Sequence, residues 1–288
     1  MKPGIRKRQA EIEAYLQSLY VPLNYSQGED EENPYTLLSI EKMDYDDSRL
    51  RQLIEEGVYL NKSLDTCDYS TIWFGIINYQ SQMNGLSYDD LYEWLRFMIT
   101  HGADLQKRDE FGFSCLDRAG IFKNFELFKM FVEEFKVDAS YVKRCPISSF
   151  MPRTTEQEDP EKEDFSGFYK KIDYFLSLGY SPQAGLYNAV ISRFTPIVRK
   201  LLEAGADPNF QNASGVTPLM WAFGQPAPNG NFWPRARGSY DTAKILLDAG
   251  ADQNIKSNQK RTARSILKSQ SWGEDLTRRM NELLDMYA

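Results

Sequence analysis

The sequence predicts an all-α solenoid: one stack of about seven similar helix-turn-helix units. Three observations lead there. The stretch LLEAGADPN at 201–209 returns as ILLDAGADQN at 245–254, and more loosely as MITHGADL at 98–105. The glycines in these stretches are evenly spaced, 45 residues from Gly57 to Gly102 and again from Gly205 to Gly250. The apolar residues ahead of each glycine recur at helical spacing, as Ile197, Val198, Leu201 and Leu202 do. A unit this short cannot bury its apolar stripe alone, and stacking on its neighbours makes the core.

Each letter of the repeated stretch has a physical role. Gly205 supplies the left-handed residue that ends a helix without a Cβ penalty. Ala206 is small enough for a neighbouring unit to pack close. Asp207 and Asn209 suit a tight turn because their side chains bond the nearby backbone. The start of a unit is clearest in QNASGVTPLMWAF, residues 211–223. Thr217 can cap a helix, and Pro218 sits in its first turn, where the missing N–H costs nothing. Leu219 and Ala222 then face inward, and a second helix follows over 240–249. This order of turn, short helix, second helix and Gly-Ala-Asp resembles the ankyrin repeat, with its T-P-L-H-x-A mark. Met220 stands where the family has histidine, so the hydrogen bonds which that histidine usually makes are absent from this unit.

The elements follow in order. Residues 5–20 read as an extra amphipathic helix capping the first unit, so that 1–33 is a capping helix with an acidic linker and 34–288 the repeat domain. The first unit is 34–57. The second has its first helix near 70–77 and its second in DDLYEWLRFMITHGAD. Residues 108–135 keep Gly112, Ser114, Leu116 and Ala119, then a helix with Phe125, Phe128 and Val132 inward. RCPISSF, 144–150, is a variant of the T-P-L-H turn, with its second helix at 169–179. Residues 186–208 form a compact unit. KRTARSILKSQ and GEDLTRRMNELLDMYA make the last, with about 253–288 as the C-terminal cap. Alternate units carry an insertion between their helices, at about 79–88, 151–167 and 224–238. Insertions in a solenoid map to one face, often the binding face.

Composition narrows the function classes. The chain has 288 residues, 42% of them hydrophobic and 26% charged, as an ordinary folded domain has. No run of about 18 apolar residues appears, and no secretory signal, so a cytoplasmic protein is expected. Three cysteines, Cys67, Cys115 and Cys145, lack metal spacing and read as small core residues in a reducing compartment. The lone histidine, His101, sits in a helix's last turn, where a partly cationic ring is favourable. It is too little for a catalytic triad or a zinc site. No phosphate-binding glycine loop and no calcium loop is present. No enzyme activity, metal or cofactor is expected. Residues 28–110 hold 18 Asp/Glu against 7 Lys/Arg, while 193–288 hold 9 against 13. The first half would repel nucleic acid and steer a basic partner toward itself, unless its charges only solvate helix faces.

The resemblance to ankyrin proteins implies protein binding through turn tips and the inner face of the first helices. Carried over unit by unit, the exposed variable positions fall on Thr66, Cys67 and Tyr69; on Glu110, Phe111, Phe113, Ile121 and Phe122; and on Gln211, Ala213, Ser214 and Val216. Phe111, Phe113 and Phe122 would form an apolar patch if exposed. Trp73 and Trp221 sit near the inner helix face, with core packing as the alternative. The 224–238 insertion holds Phe232, Trp233, Arg235 and Arg237, residue types that anchor interfaces. The expected function is a binding module that recognises a partner protein by its concave face and inserted loops. The alternative is a bacterial immunity protein that blocks a cognate toxin, such as a basic nuclease. No nucleic acid, membrane or small-molecule substrate is expected.

Overall fold

In the computed structural model of the chain, the described residues are 3–19, 47–63, 70–82, 86–140, 142–151, 165–224, 236–269 and 273–288. Among them the secondary structure is fourteen α-helices and one isolated bridge, between Ser63 and Thr71. The chain divides into two compact units, residues 1–143 and 144–288.

In the first unit, α1 (Pro3–Leu19) packs on α2 (Asp47–Glu55). Ile12 is fully buried there. The Gln9 carboxamide accepts from Tyr59 N–H at 2.7 Å and donates to its carbonyl at 3.4 Å. Arg8 donates to the Glu56 carbonyl, and Lys62 pairs with Glu13 at 2.7 Å. Helix α1 thus lies against α2 and the turn that follows it. Next come α3 (Ile72–Gln82), α4 (Tyr88–Thr100), α5 (Cys115–Ile121) and α6 (Phe125–Glu133). The expected insertion at 79–88 is shortened from both sides: α3 runs on to Gln82, and α4 begins at Tyr88. Nothing in Asn78-Tyr79-Gln80-Ser81-Gln82 stops a helix, and the first breaker is Gly85. The core is aromatic. The Trp73 ring meets Phe74 and Phe131 edge-on at 5.8 and 6.0 Å, and Phe122 stacks on Phe74 at 6.0 Å.

The second unit contains α7 (Pro146–Ser149), α8 (Ser166–Ser177), α9 (Gln183–Ile191) and α10 (Thr195–Glu203). It continues with α11 (Pro218–Phe223), α12 (Ala236–Asp248), α13 (Ala263–Lys268) and α14 (Glu274–Met286). Helix α9 packs on α7, α10 and α11, and α14 packs on α12 and α13. Leu186, Ala189, Ile197, Val198, Leu201, Leu219 and Leu246 are all fully buried. Two helices start earlier than the sequence suggests. Helix α8 begins at Ser166 rather than 169, and α12 at Ala236 rather than 240, so Arg237 and Gly238 are helical. Pro234 is the last residue that a helix interior would refuse. Of the insertions at 151–167 and 224–238, residues 152–164 and 225–235 lie outside the described residues.

The repeated glycines and aspartates do what their chemistry predicts, whereas the Asn209 side chain, expected to bond the nearby backbone, reaches the next repeat's turn instead. Gly57, Gly102, Gly205 and Gly250 all hold φ between +90° and +96°. At three of them the paired bonds of a left-handed helix end are complete: Gly102 to Ile99 and Ala103 to Met98, Gly205 to Leu202 and Ala206 to Leu201, Gly250 to Leu247 and Ala251 to Leu246. Asp104, Asp207 and Asp252 each accept from the N–H two residues on, at 2.8–2.9 Å. A carboxamide then staples each such turn to the preceding repeat. Asn61 donates to Gly102 O at 2.8 Å and accepts from Asp104 N at 2.8 Å. Asn209 does the same to Gly250 and Asp252 at 2.9 and 2.7 Å. Gln183 bonds both backbone groups of Asp207, at 3.3 and 2.7 Å.

Tyr187 adds a further tie. Its hydroxyl has one hydrogen for two carbonyls, Phe210 O at 2.8 Å and Val216 O at 2.5 Å. Its pKa is pushed up to about 12, first by burial and further by the Asp207 charge. The folded state thus holds this proton more tightly than the unfolded chain, whose tyrosine titrates near ~10. The tie is complete below that pH and is lost as pH rises toward about 12. Tyr187→Phe should lower stability by about 1 kcal/mol at neutral pH. It should also flatten the decline in urea midpoint between pH ~10 and ~12, which equilibrium unfolding across that range reads directly.

Candidate protein-interaction surface

Three short fingers precede first helices, and they share one design. In the first, Asp109 N–H donates to Phe113 O and Gly112 N–H returns to Asp109 O, at 3.0 and 2.9 Å. The Asp109 carboxylate also accepts from Phe111 and Phe113 N–H, both at 2.9 Å. Asn212 repeats all four bonds with Val216, Gly215 and Ser214. Ser257 closes the third finger with Arg261 and Lys260. Five residues after each of these comes a helix cap: Ser114, Thr217 and Thr262, each accepting from the third N–H of its helix. The second and third fingers are also tied to each other. Asn258 donates to Ser214 O and Ala213 O at 3.1 and 3.0 Å, and Gln211 donates to Gly215 O and Lys256 O at 2.7 and 3.1 Å.

The first finger stands on a charged base. Arg118 Nε donates to Asp109 Oδ2 at 2.5 Å, with both side chains buried. Asp117 caps Ser114 and accepts from Lys143 N–H at 2.7 Å. From outside, Arg108 donates to Gly112 O at 2.7 Å and Lys143 Nζ to Phe111 O at 2.9 Å. The Phe113 ring lies between the cations of Arg118 and Lys143, at 5.2 and 4.8 Å. At the tip Glu110 is exposed, and Phe111 keeps 50% of its surface in water. The expected patch of three phenylalanines is therefore smaller. Phe113 and Phe122 are half-buried, one between cations and the other on Phe74.

The remaining sequence-derived positions divide. Trp73 is 1% exposed and belongs to the core, so it offers no partner surface. It stands two residues after Thr71, the place Leu116 and Leu219 take after Ser114 and Thr217, and this spacing could have shown it. Trp221 is half-buried, and its indole N–H has no acceptor among the described residues. Gln211 is exposed but spends its amide on the fingers. Arg237 lies in the first turn of α12. Tyr69, Phe232, Trp233 and Arg235 lie outside the described residues. Sequence reading missed Arg118 and Tyr187, whose partners are 9 and 29 residues away.

The groups able to do chemistry have structural surroundings. His101 Nδ1 is 2.7 Å from Phe97 O, an arrangement that needs the proton on Nδ1. Burial pushes the Cys115 thiol up to about 12, leaving it unreactive, and raises Cys145 in the same direction. Among the described residues no group of three or more His, Cys, Asp or Glu could hold a metal ion. None of the described helices is long and apolar enough to cross a membrane.

Residues 214–258 match the ankyrin repeat family. The fold is similar to the crystal structure of the ankyrin repeat domain of Bcl-3, a unique member of the IkappaB protein family. The TM-score is 0.52 at 16% identity, over 83% of this chain and 92% of that one. It is similar to the human ASB11 ankyrin repeat domain to the same degree, TM-score 0.52 at 16% identity, over 81% and 91%. No curated protein matches the sequence. The chain has the ankyrin-repeat fold.

Proposed function

We propose that the chain is a non-enzymatic binding module that grips a partner protein with its finger tips and the first helices beside them. The observation that carries this reading is Phe111, a ring half in water on a finger fixed by Asp109, Arg108 and Lys143. A preorganised apolar anchor loses little conformational freedom on binding. Glu110 beside it, Gln211 and Trp221 in the second unit, and Tyr69, Phe232, Trp233, Arg235 and Arg237 complete the proposed contact set. Helix α1 and residues 253–288 serve as end caps of the repeat domain 34–288. Capture from source lysate with the intact chain, compared with Phe111→Ala, tests this. The variant should lose a specifically retained protein by about tenfold or more, the effect of removing an interface anchor. Equal retention by both would remove the finger from the binding site.

A second reading, an immunity protein against a basic toxin, is favoured by charge. In the first unit Asp89, Asp90, Glu93, Asp104 and Glu110 are all exposed. A toxin partner would be one small basic protein, held tightly at low salt and released as salt screens the charges. Several unrelated partners, or one indifferent to salt, would count against it.

A further inference from the structure

We propose that the outer face of α4 and α6 is a second docking surface, for a lysine- and arginine-rich segment of another protein. This rests on the reading of the chain as a binding module but not on the fingers. Helix α4 buries Leu91, Trp94, Leu95 and Met98, which leaves Tyr88, Asp89, Asp90, Glu93 and Arg96 exposed. Helix α6 buries Leu127, Phe128, Met130 and Phe131, leaving Glu126 exposed, with Glu134 exposed just past its end.

The two outward faces meet. The Tyr88 hydroxyl is 3.5 Å from the Glu134 carboxylate, and the Tyr92 and Phe135 rings lie 5.2 Å apart. Burial and the carboxylates of Glu134, Glu133 and Glu126 all raise the Tyr88 pKa, so these groups share one field. The face thus has an aromatic floor with acidic margins. It already seats one cation of its own: Arg96 lies 5.9 Å over the Tyr92 ring and 3.8 Å from Glu93. A ring flanked by a carboxylate suits a guanidinium or an ammonium with its aliphatic stem.

Charge complementarity selects the occupant. Residues 88–100 and 125–136 carry six carboxylates, Asp89, Asp90, Glu93, Glu126, Glu133 and Glu134, against three cations, Arg96, Lys129 and Lys136. Arg96 pairs with Glu93, Lys129 with Glu133 at 3.6 Å, and Lys136 donates to the Glu133 carbonyl. Asp89, Glu126 and Glu134 have no cation among the described residues. A phosphate backbone would be repelled, and an extended basic segment would be attracted.

Fluorescence anisotropy with a labelled peptide of lysine and arginine spaced by glycine tests this on the intact chain. The peptide should bind at low salt and weaken toward ~0.15 M salt. Glu126→Gln with Glu134→Gln should raise Kd about fivefold, the sum expected of two exposed charge contacts. Tyr88→Ala with Tyr92→Ala should weaken binding by a similar factor. Glu55→Gln with Glu203→Gln removes the same charge elsewhere and should leave Kd within about twofold. Phe111→Ala should leave peptide affinity unchanged, which separates this surface from the fingers. No binding at low salt, equal weakening by the control pair, or loss with Phe111→Ala would each overturn the proposal.

Discussion

Arg118→Ala should destabilise the chain by about 3–5 kcal/mol, because it leaves a buried carboxylate without its counter-ion. The Asp109 and Arg118 side chains are only 2% and 6% exposed. Asp109 would keep the two N–H groups of Phe111 and Phe113, which do not neutralise a charge. Asp109→Asn should be costly for the mirror reason. The amide oxygen can still accept from both N–H groups, as Asn212 does in its own finger, but Arg118 is left as a buried cation. The double variant Asp109→Asn with Arg118→Met should recover most of the loss, since both charges go and Met fills the stem's volume. The Nη2 of Arg118 is buried with no hydrogen-bond partner among the described residues. Urea unfolding of the four proteins closes the cycle. Additive losses in the double variant would mean that the two residues do not act as a pair.

The parts of this fold that were legible in the sequence are those set by local chemistry. Helix ends at Gly57, Gly102, Gly205 and Gly250 follow from the residue that tolerates a positive φ. The caps Ser114 and Thr217 follow from their place before an apolar run. What could not be read was set by contacts between repeats. The staples of Asn61 and Asn209 reach 41 and 43 residues ahead, although both residues stand four places after a helix-ending glycine. The candidate site divides in the same way. The exposed tip at Phe111 is a local property of its finger. The burial of Phe113 depends on Lys143, thirty residues on, and that of Trp73 on Phe131.

Loop boundaries failed for a related reason. A family repeat implies where helices should stop, but α3 obeys its own residues and runs through Gln82. The same holds for α12, which takes in Arg237 and leaves the inserted segment shorter than the family pattern implies. Arg237, expected on an inserted loop, thus stands on a helix.

Gly185→Ala should destabilise the second unit even though alanine is the better helix former. At this third residue of α9, in its first turn, the change would gain at most about 1 kcal/mol of helix propensity. Against this, a methyl at Gly185 would lie 2.4 Å from Ile147 Cγ2 and 3.2 Å from Leu201 Cδ1. Both neighbours are fully buried, so neither can swing into water. Overpacking a closed core costs about 1–3 kcal/mol, which outweighs the propensity gain. Gly185→Val, with a branched side chain, should fall at or beyond the top of that range. Ile147→Ala alone should cost about 2–5 kcal/mol through the cavity it opens. Combined with Gly185→Ala it should cost less than the sum, because the new methyl enters the space that Cγ2 vacates. Urea midpoints of the single and double variants decide this. Stabilisation by Gly185→Ala, or strict additivity with Ile147→Ala, would show that α7 and α9 have room between them. The glycine would then be there for some reason other than close packing.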